Sequence, residues 1–219
     1  MAEHGLDEQV LGVALDGTGY GDDENIWGGE FFVCDLKDYK RFTHLEYMPM
    51  PGGDKAVLSP WRMALSYLYH AYGDKIGSLE LEFLQDKKDE DIKLLLSMIR
   101  KHINSPLTSS TGRLFDAVSA ILNLCTENCY EAEAPMRLES IADETTTDSY
   151  VFNFNENTVS FTKTIREIVE DLKKETDKSI IAAKFHNTVS QAMLHVCEKM
   201  RDAHSINKVV LSGGTFQNK

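Results

Sequence analysis

Apolar residues run through Val10-Leu11-Gly12-Val13-Ala14-Leu15, stop at Asp16, and give way to Gly17-Thr18-Gly19-Tyr20-Gly21. A short apolar run with glycines directly behind it predicts a buried strand that enters a tight turn. Two more strands are predicted over Glu30 to Cys34 and Arg41 to Met48, where aromatic and β-branched residues recur between turn signals. Met48-Pro49-Met50-Pro51-Gly52-Gly53-Asp54 continues neither regular element, because proline lacks the ladder donor and glycine favours turning, so it reads as an ordered loop or hinge.

The pattern then turns helical. Ser59 supplies a cap and Pro60 a first helical position, and Trp61, Ala64, Leu65 and Leu68 fall on one face. Asp89 to His102 is a second amphipathic helix, followed by a polar turn from Asn104 to Ser110. Helix resumes near Thr111 with Leu114, Val118, Ile121, Leu122 and Cys125 on its apolar face, which sets Arg113 and Asp116 on other faces. A short helix follows Pro135. Tyr150 to Phe154 and Thr158 to Thr162 flank Asn155-Glu156-Asn157 as a hairpin. Helices are predicted from Lys163 to Lys174 and from Ser179 to Ala203, and a buried strand, Val209-Val210-Leu211, runs into Ser212-Gly213-Gly214-Thr215. A buried strand at the very end leaves its face uncovered, so the pattern leads us to expect a domain cut at both ends. With no repeat or linker, residues 1–219 read as one partial domain of α/β class.

Composition narrows the function. The net charge is -12, which disfavours nucleic acid and anionic lipid as partners. No stretch approaches the roughly 20 apolar residues of a membrane span. The opening MAEHGLDEQV lacks the basic and apolar regions of a secretion signal, so the chain reads as cytoplasmic. Cys34, Cys125, Cys129 and Cys197 are spaced as buried reduced thiols rather than as a metal or redox pair.

The two strand-to-glycine turns, VALDGTGYG and VVLSGGTFQN, carry the main chemical signal. Each puts backbone N–H groups at a strand end, where α/β folds bind phosphate and other anions. Asp16 is the sharpest acidic position because the strand fixes it. Asp22, Asp23 and Glu24 read as a solvated loop, with metal ligation as the alternative. His44, His70, His102, His186, His195 and His204 show no H-x-x-x-H spacing. His186 belongs to a polar trio, Lys184, His186 and Asn187, that interrupts an apolar helix face and reads equally as structural or cleft-lining. No cysteine has an activating base beside it, so the chemistry indicated is positioning and charge stabilisation of a phosphate-linked group during transfer.

Seven strings in one order make the sequence resemble the HypF carbamoyltransferases: DGTGYGDD from Asp16, IWGGEF from Ile26, PMPGGD from Pro49, PWRMA from Pro60, TSSTGRLFDAV from Thr108, IAAKFHN from Ile181 and LSGGTFQN from Leu211. The resemblance covers the whole chain. It implies a two-lobed actin-like fold of the ASKHA, TsaD-like class. It implies an enzyme in which a YrdC-like domain makes carbamoyl-adenylate from carbamoyl phosphate and ATP. The TsaD-like domain then passes the carbamoyl group to a C-terminal cysteine of HypE, on the route to the cyanide ligands of nickel–iron hydrogenase. Carried over by position, Asp16 is expected to bind a divalent metal (Mg, Zn or Fe). Gly17 and Thr18 line the nucleotide, Asp116 and Glu139 hold its ribose, and Gly213, Gly214 and Asn218 lie near its phosphates and base. Ala132 stands where the family usually has glycine. The family's metal-binding His-x-x-x-His and a second Asp fall outside this chain, so the 219 residues are expected to bind metal weakly and to lack transfer alone. Two alternatives stay open: another TsaD-like carbamoyltransferase acting on tRNA or a hydroxyl, and a non-catalytic nucleotide-binding module.

Overall fold

Antiparallel strands β1 (Val10–Tyr20), β2 (Ile26–Cys34) and β3 (Tyr39–Leu45) form a meander at the start of the chain. The structure is a computed structural model and describes residues 1–155 and 158–217, apart from the His4 side chain. Short strands follow as β4 (Met48–Pro49), β5 (Leu107–Thr108), β6 (Asn153–Asn155), β7 (Thr158–Ser160) and β8 (Val209–Ser212). Together they make one eight-stranded sheet among the described residues. β8 runs parallel to β1 along its open edge, β7 runs parallel to β3, and β5 meets the start of β2 at Ile26.

One face of the sheet is covered by helices. These are α1 (Lys55–Leu58), α2 (Pro60–Tyr72), α3 (Glu82–Gln85), α4 (Asp89–Lys101), α5 (Thr111–Ile121), α6 (Glu133–Ser140), α7 (Thr162–Lys173) and α8 (Lys178–His204). Alternation along β1 sends Leu11, Val13 and Leu15 into the core, where Val13 pairs with the buried Phe31 of β2. α5 lies innermost: it packs on α2, α6 and β1, and every residue from Arg113 to Ile121 is buried. No helix among the described residues is long and apolar enough to cross a membrane.

Several boundaries differ from the sequence reading. β1 does not end at Leu15 but continues to Tyr20. The glycine segment is a bulge, because β1 advances from Leu15, opposite Gly29, to Gly19, opposite Trp27. Four steps on β1 thus answer two on β2, and the chain loops outward at Asp16, Gly17 and Thr18 instead of turning back. β3 stops at Leu45, and Met48–Pro49 pairs separately with β5. Pro60 does open α2, but Ser59 makes no cap; its hydroxyl donates to Glu127 Oε2 at 2.6 Å instead. α5 ends at Ile121, short of Cys125, and its Arg113 and Asp116 are buried, since neighbours surround the helix on all sides. The hairpin forms in the register Asn155 with Thr158; its tip, Glu156 and Asn157, lies outside the described residues.

Candidate functional site

The Asp16 bulge, the first turn of α5 and the end of β8 meet at one point. Asp16 is exposed, and its Oδ1 accepts the Gly17 N–H at 2.7 Å. Ser110 caps α5, its Oγ accepting the Arg113 N–H at 3.1 Å. The same hydroxyl lies 3.0 Å from the Asp16 carbonyl oxygen and 2.7 Å from that of Gly17, so its one proton is shared between the two. Next along the chain, Thr111 Oγ1 donates to the Gly28 carbonyl at 2.9 Å. Three hydroxyl contacts thereby tie the helix start to the bulge and to the strand beneath it.

Close approach at this point depends on residues without side chains. A Cβ on Gly28 would lie 2.5 Å from the Asp16 carbonyl oxygen. Gly213 has φ +102°, and a Cβ there would sit 2.1 Å from the Leu15 carbonyl oxygen, so the turn out of β8 can pack against β1 only as glycine. Gly214 follows with its Cβ direction 3.6 Å from Asp16 Oδ1. The first turn of α5 carries no acidic residue, so its amide end keeps the positive potential of a helix start. Amides from the helix start beside a two-residue bulge and a glycine turn suit a phosphate or another anion.

The acidic loop is committed elsewhere. Asp23 accepts from Trp27 Nε1 at 2.8 Å, Tyr47 OH at 2.5 Å and Arg41 Nη1 at 3.0 Å. Burial alone would raise its pKa, but the hydrogen bonds from Tyr47 and Trp27 hold it well below the usual carboxylate range. Asp22 accepts the Tyr39 hydroxyl. Asp22, Asp23 and Glu24 are all exposed in the β1–β2 turn, as the loop reading expects, and Asp22 and Asp23 in addition fasten that turn to β3.

Asp116 is 0% exposed, with Oδ2 2.7 Å from Arg113 Nε. Burial pushes its pKa up to about 6 although Arg113 pulls the other way. As placed, its carboxylate faces the interior. Glu139 lies partly buried on α6 and within electrostatic range of His186. His186 Nδ1 is 2.8 Å from the Ala182 carbonyl, which makes Nδ1 the protonated nitrogen, and its ring packs edge-on to Phe115 at 5.3 Å. Burial lowers its pKa, so it is a neutral packing residue between α8 and α5. Asn218 lies outside the described residues. Cys125 is buried and Cys34 and Cys197 are half-buried, but Cys129 is exposed beyond the end of α5, which corrects the buried-thiol reading for that residue. A separate groove of about 560 Å³ opens at the far end of α5, floored by Leu81, Ile121 and Leu122 and rimmed by Glu82 and Lys178.

Glu30, Ser109 and Ser110 were not singled out from the sequence. A lone acidic residue inside Ile26-Trp27-Gly28-Gly29-Glu30-Phe31-Phe32-Val33-Cys34 was the available signal, since a carboxylate in a buried strand needs donors.

The fold is of mixed α/β class, with a curled sheet covered by helices, and the comparisons lead to a family of the same fold. A model of the family described as carbamoyltransferase, Kae1-like domain, second subdomain, matches residues 12–219. The chain belongs to this family, that of the HypF carbamoyltransferases. It is 34% identical over 217 residues to the probable carbamoyltransferase HypF of Methanocaldococcus jannaschii, covering 98% of this chain and 28% of that protein. It is 32% identical over 234 residues to carbamoyltransferase HypF of Synechocystis sp., covering 100% and 30%. Among solved structures it resembles full-length HypF in its phosphate- and nucleotide-bound form, with TM-score 0.91, 42% identity, and coverage of 100% of this chain and 34% of that one. T. kodakarensis HypF superimposes with TM-score 0.88 at 30% identity, over 99% and 29%. The chain thus spans less than a third of the length of the first two relatives, 28% and 30%.

Proposed function

We propose that the chain supplies one wall of the nucleotide site of a HypF carbamoyltransferase, and that the protein it serves moves a carbamoyl group from carbamoyl-adenylate to the C-terminal cysteine of HypE. In that reaction the acceptor sulfur takes the carbamoyl carbon and AMP leaves, on the route to the cyanide ligands of nickel–iron hydrogenase. The observation that carries the reading is the convergence of the Asp16 bulge, the start of α5 and Gly213-Gly214 into a single anion cradle. A relative 42% identical that is described as phosphate- and nucleotide-bound supports it, and so do relatives named as carbamoyltransferases.

In this reading Gly17, Thr18, Gly213 and Gly214 border the phosphates, Glu139 stands on the ribose side, and Asn218 serves the base. Asp116 contributes to the ribose only if its surroundings open, and otherwise braces α5 through Arg113. Residues 1–219 act as one piece of a two-lobed actin-like, TsaD-like domain. A divalent metal, Mg, Zn or Fe, would meet this chain at Asp16, which stands exposed at the bulge. What the chain's own residues do is orient: the cradle holds charge already present on the adenylate while the acceptor approaches.

Titration calorimetry of the 219-residue chain with AMP tests the nucleotide part; saturable binding is expected, and no heat would refute it. Mass spectrometry of a HypE C-terminal peptide tests the rest. With the full-length protein, carbamoyl phosphate and ATP, a carbamoyl adduct on the terminal cysteine is expected, and its absence would refute the HypE reading. The same incubation with the 219 residues tests whether they transfer alone. No carbamoyl adduct is expected from them, because one carboxylate does not rebuild a multidentate site. Measurable transfer would contradict that account.

A further inference from the structure

We infer that Glu30 and Ser109 are positioning residues for the cradle: one buried carboxylate oxygen joins the strand floor beneath the Asp16 bulge to the start of α5. The inference rests on reading the cradle as the nucleotide site.

The bulge itself creates the need. β1 pairs at Gly29 and next at Trp27, and the other edge of β2 passes from β5 at Ile26 to β3 at Glu30, so Gly28 has no ladder partner on either side. A buried backbone N–H left in this way must find another acceptor. Glu30, 2% exposed, provides it: Oε1 accepts from the N–H groups of Gly28 and Gly29, each at 3.3 Å. The Ser109 hydroxyl donates to the same oxygen.

These contacts reach both halves of the cradle. Gly28 presses directly on the Asp16 carbonyl and receives Thr111 Oγ1 on its own. Ser109 precedes Ser110, the cap of α5 and the donor to the Asp16 and Gly17 carbonyls, and its N–H donates to the Ile26 carbonyl at 3.0 Å. The second oxygen of Glu30 faces away from the cradle, accepting from Arg41 Nε at 2.6 Å. Arg41 in turn stacks 4.1 Å over Trp27 and pairs with Asp23, so its part is to hold the β1–β2 turn.

This division lets stability and positioning be separated. AMP affinity by calorimetry and the thermal midpoint are measured on the full chain carrying Ser109→Ala, Arg41→Gln or Glu30→Ala, with calorimetry run below every transition. Ser109→Ala is expected to weaken AMP binding about tenfold and to lower the midpoint as well, since the hydrogen bond it loses is to the buried Glu30 carboxylate. Arg41→Gln is expected to lower the midpoint while leaving AMP affinity near that of the unmodified chain. Glu30→Ala loses both, and if it does not fold, the other two variants decide. Affinity that merely follows the midpoint across the set, or an unchanged affinity in Ser109→Ala, would overturn the inference. Failure of the unmodified chain to bind AMP is a different result and removes the cradle reading on which the inference stands.

Discussion

Asp116 and Arg113 sit three residues apart on a helix that is buried all round, and the burial of Asp116, against the pull of Arg113, makes the interior of α5 responsive to pH. The Asp116 pKa is raised from 3.8 to about 6, so the folded chain holds that proton more tightly than the unfolded chain does. The sign is therefore opposite to that of a salt-bridged surface carboxylate: this group's contribution to stability falls as pH rises through about 4 to about 6 and stays low above it. Its size is on the order of 3 kcal/mol at most. Urea unfolding of the unmodified chain and of Asp116→Asn at acid and neutral pH should show the unmodified chain losing stability relative to the amide variant as pH rises from about 4 to about 6, and a gap independent of pH would contradict the assignment. Sequence pattern alone put Asp116 on an outward face because periodicity describes a helix packed on one side. α5 is packed on several sides, and only tertiary neighbours could reveal that. Asp16 was legible for the opposite reason: it ends an uninterrupted apolar run, and no distant partner is needed to see it.

Among the elements, the bulge in β1 does the most to shape the site. Local sequence announced glycine freedom but not whether the chain would turn or bulge, because the outcome depends on pairing with Trp27 to Gly29, which the linear pattern does not specify. The helix start at Thr111 was readable from local chemistry, whereas the Ser59 cap was not realised, its hydroxyl being drawn to Glu127 from a loop 68 residues away. Close packing at the bulge gives a sharp expectation. Gly213→Ala combines a positive φ with a Cβ in contact with the Leu15 backbone, and should cost about 2 kcal/mol or more in thermal or urea unfolding. Gly28→Ala, which meets the Asp16 carbonyl at extended φ, should act through the clash alone and shift β1 away from α5. Alanine tolerated at both positions without loss of stability would mean that the strands do not approach so closely.

At the scale of the molecule, the sheet, with α5 behind it, carries two concave features at opposite ends of one helix: the cradle at its start and the groove of about 560 Å³ at its finish. Size alone would favour the groove as a ligand site. For an anion, chemistry favours the cradle, because amides and a helix start converge there, whereas the groove is rimmed by Glu80, Glu82, Glu175 and Asp177 against Lys173 and Lys178 and is net acidic. Fold class and strand order near the amino terminus were within reach of the pattern. The β6–β7 hairpin was readable too, but its joining to β3, and that of β5 to β2, was not, since pairing between segments far apart in the chain is not written in local periodicity. The most direct measurement is an AMP titration of the chain followed amide by amide in NMR spectra. The account expects the largest shifts at Gly17, Gly112, Gly213 and Gly214, with Glu139 among the lesser ones; shifts confined to Leu81, Leu122 and Lys178 around the groove would contradict it.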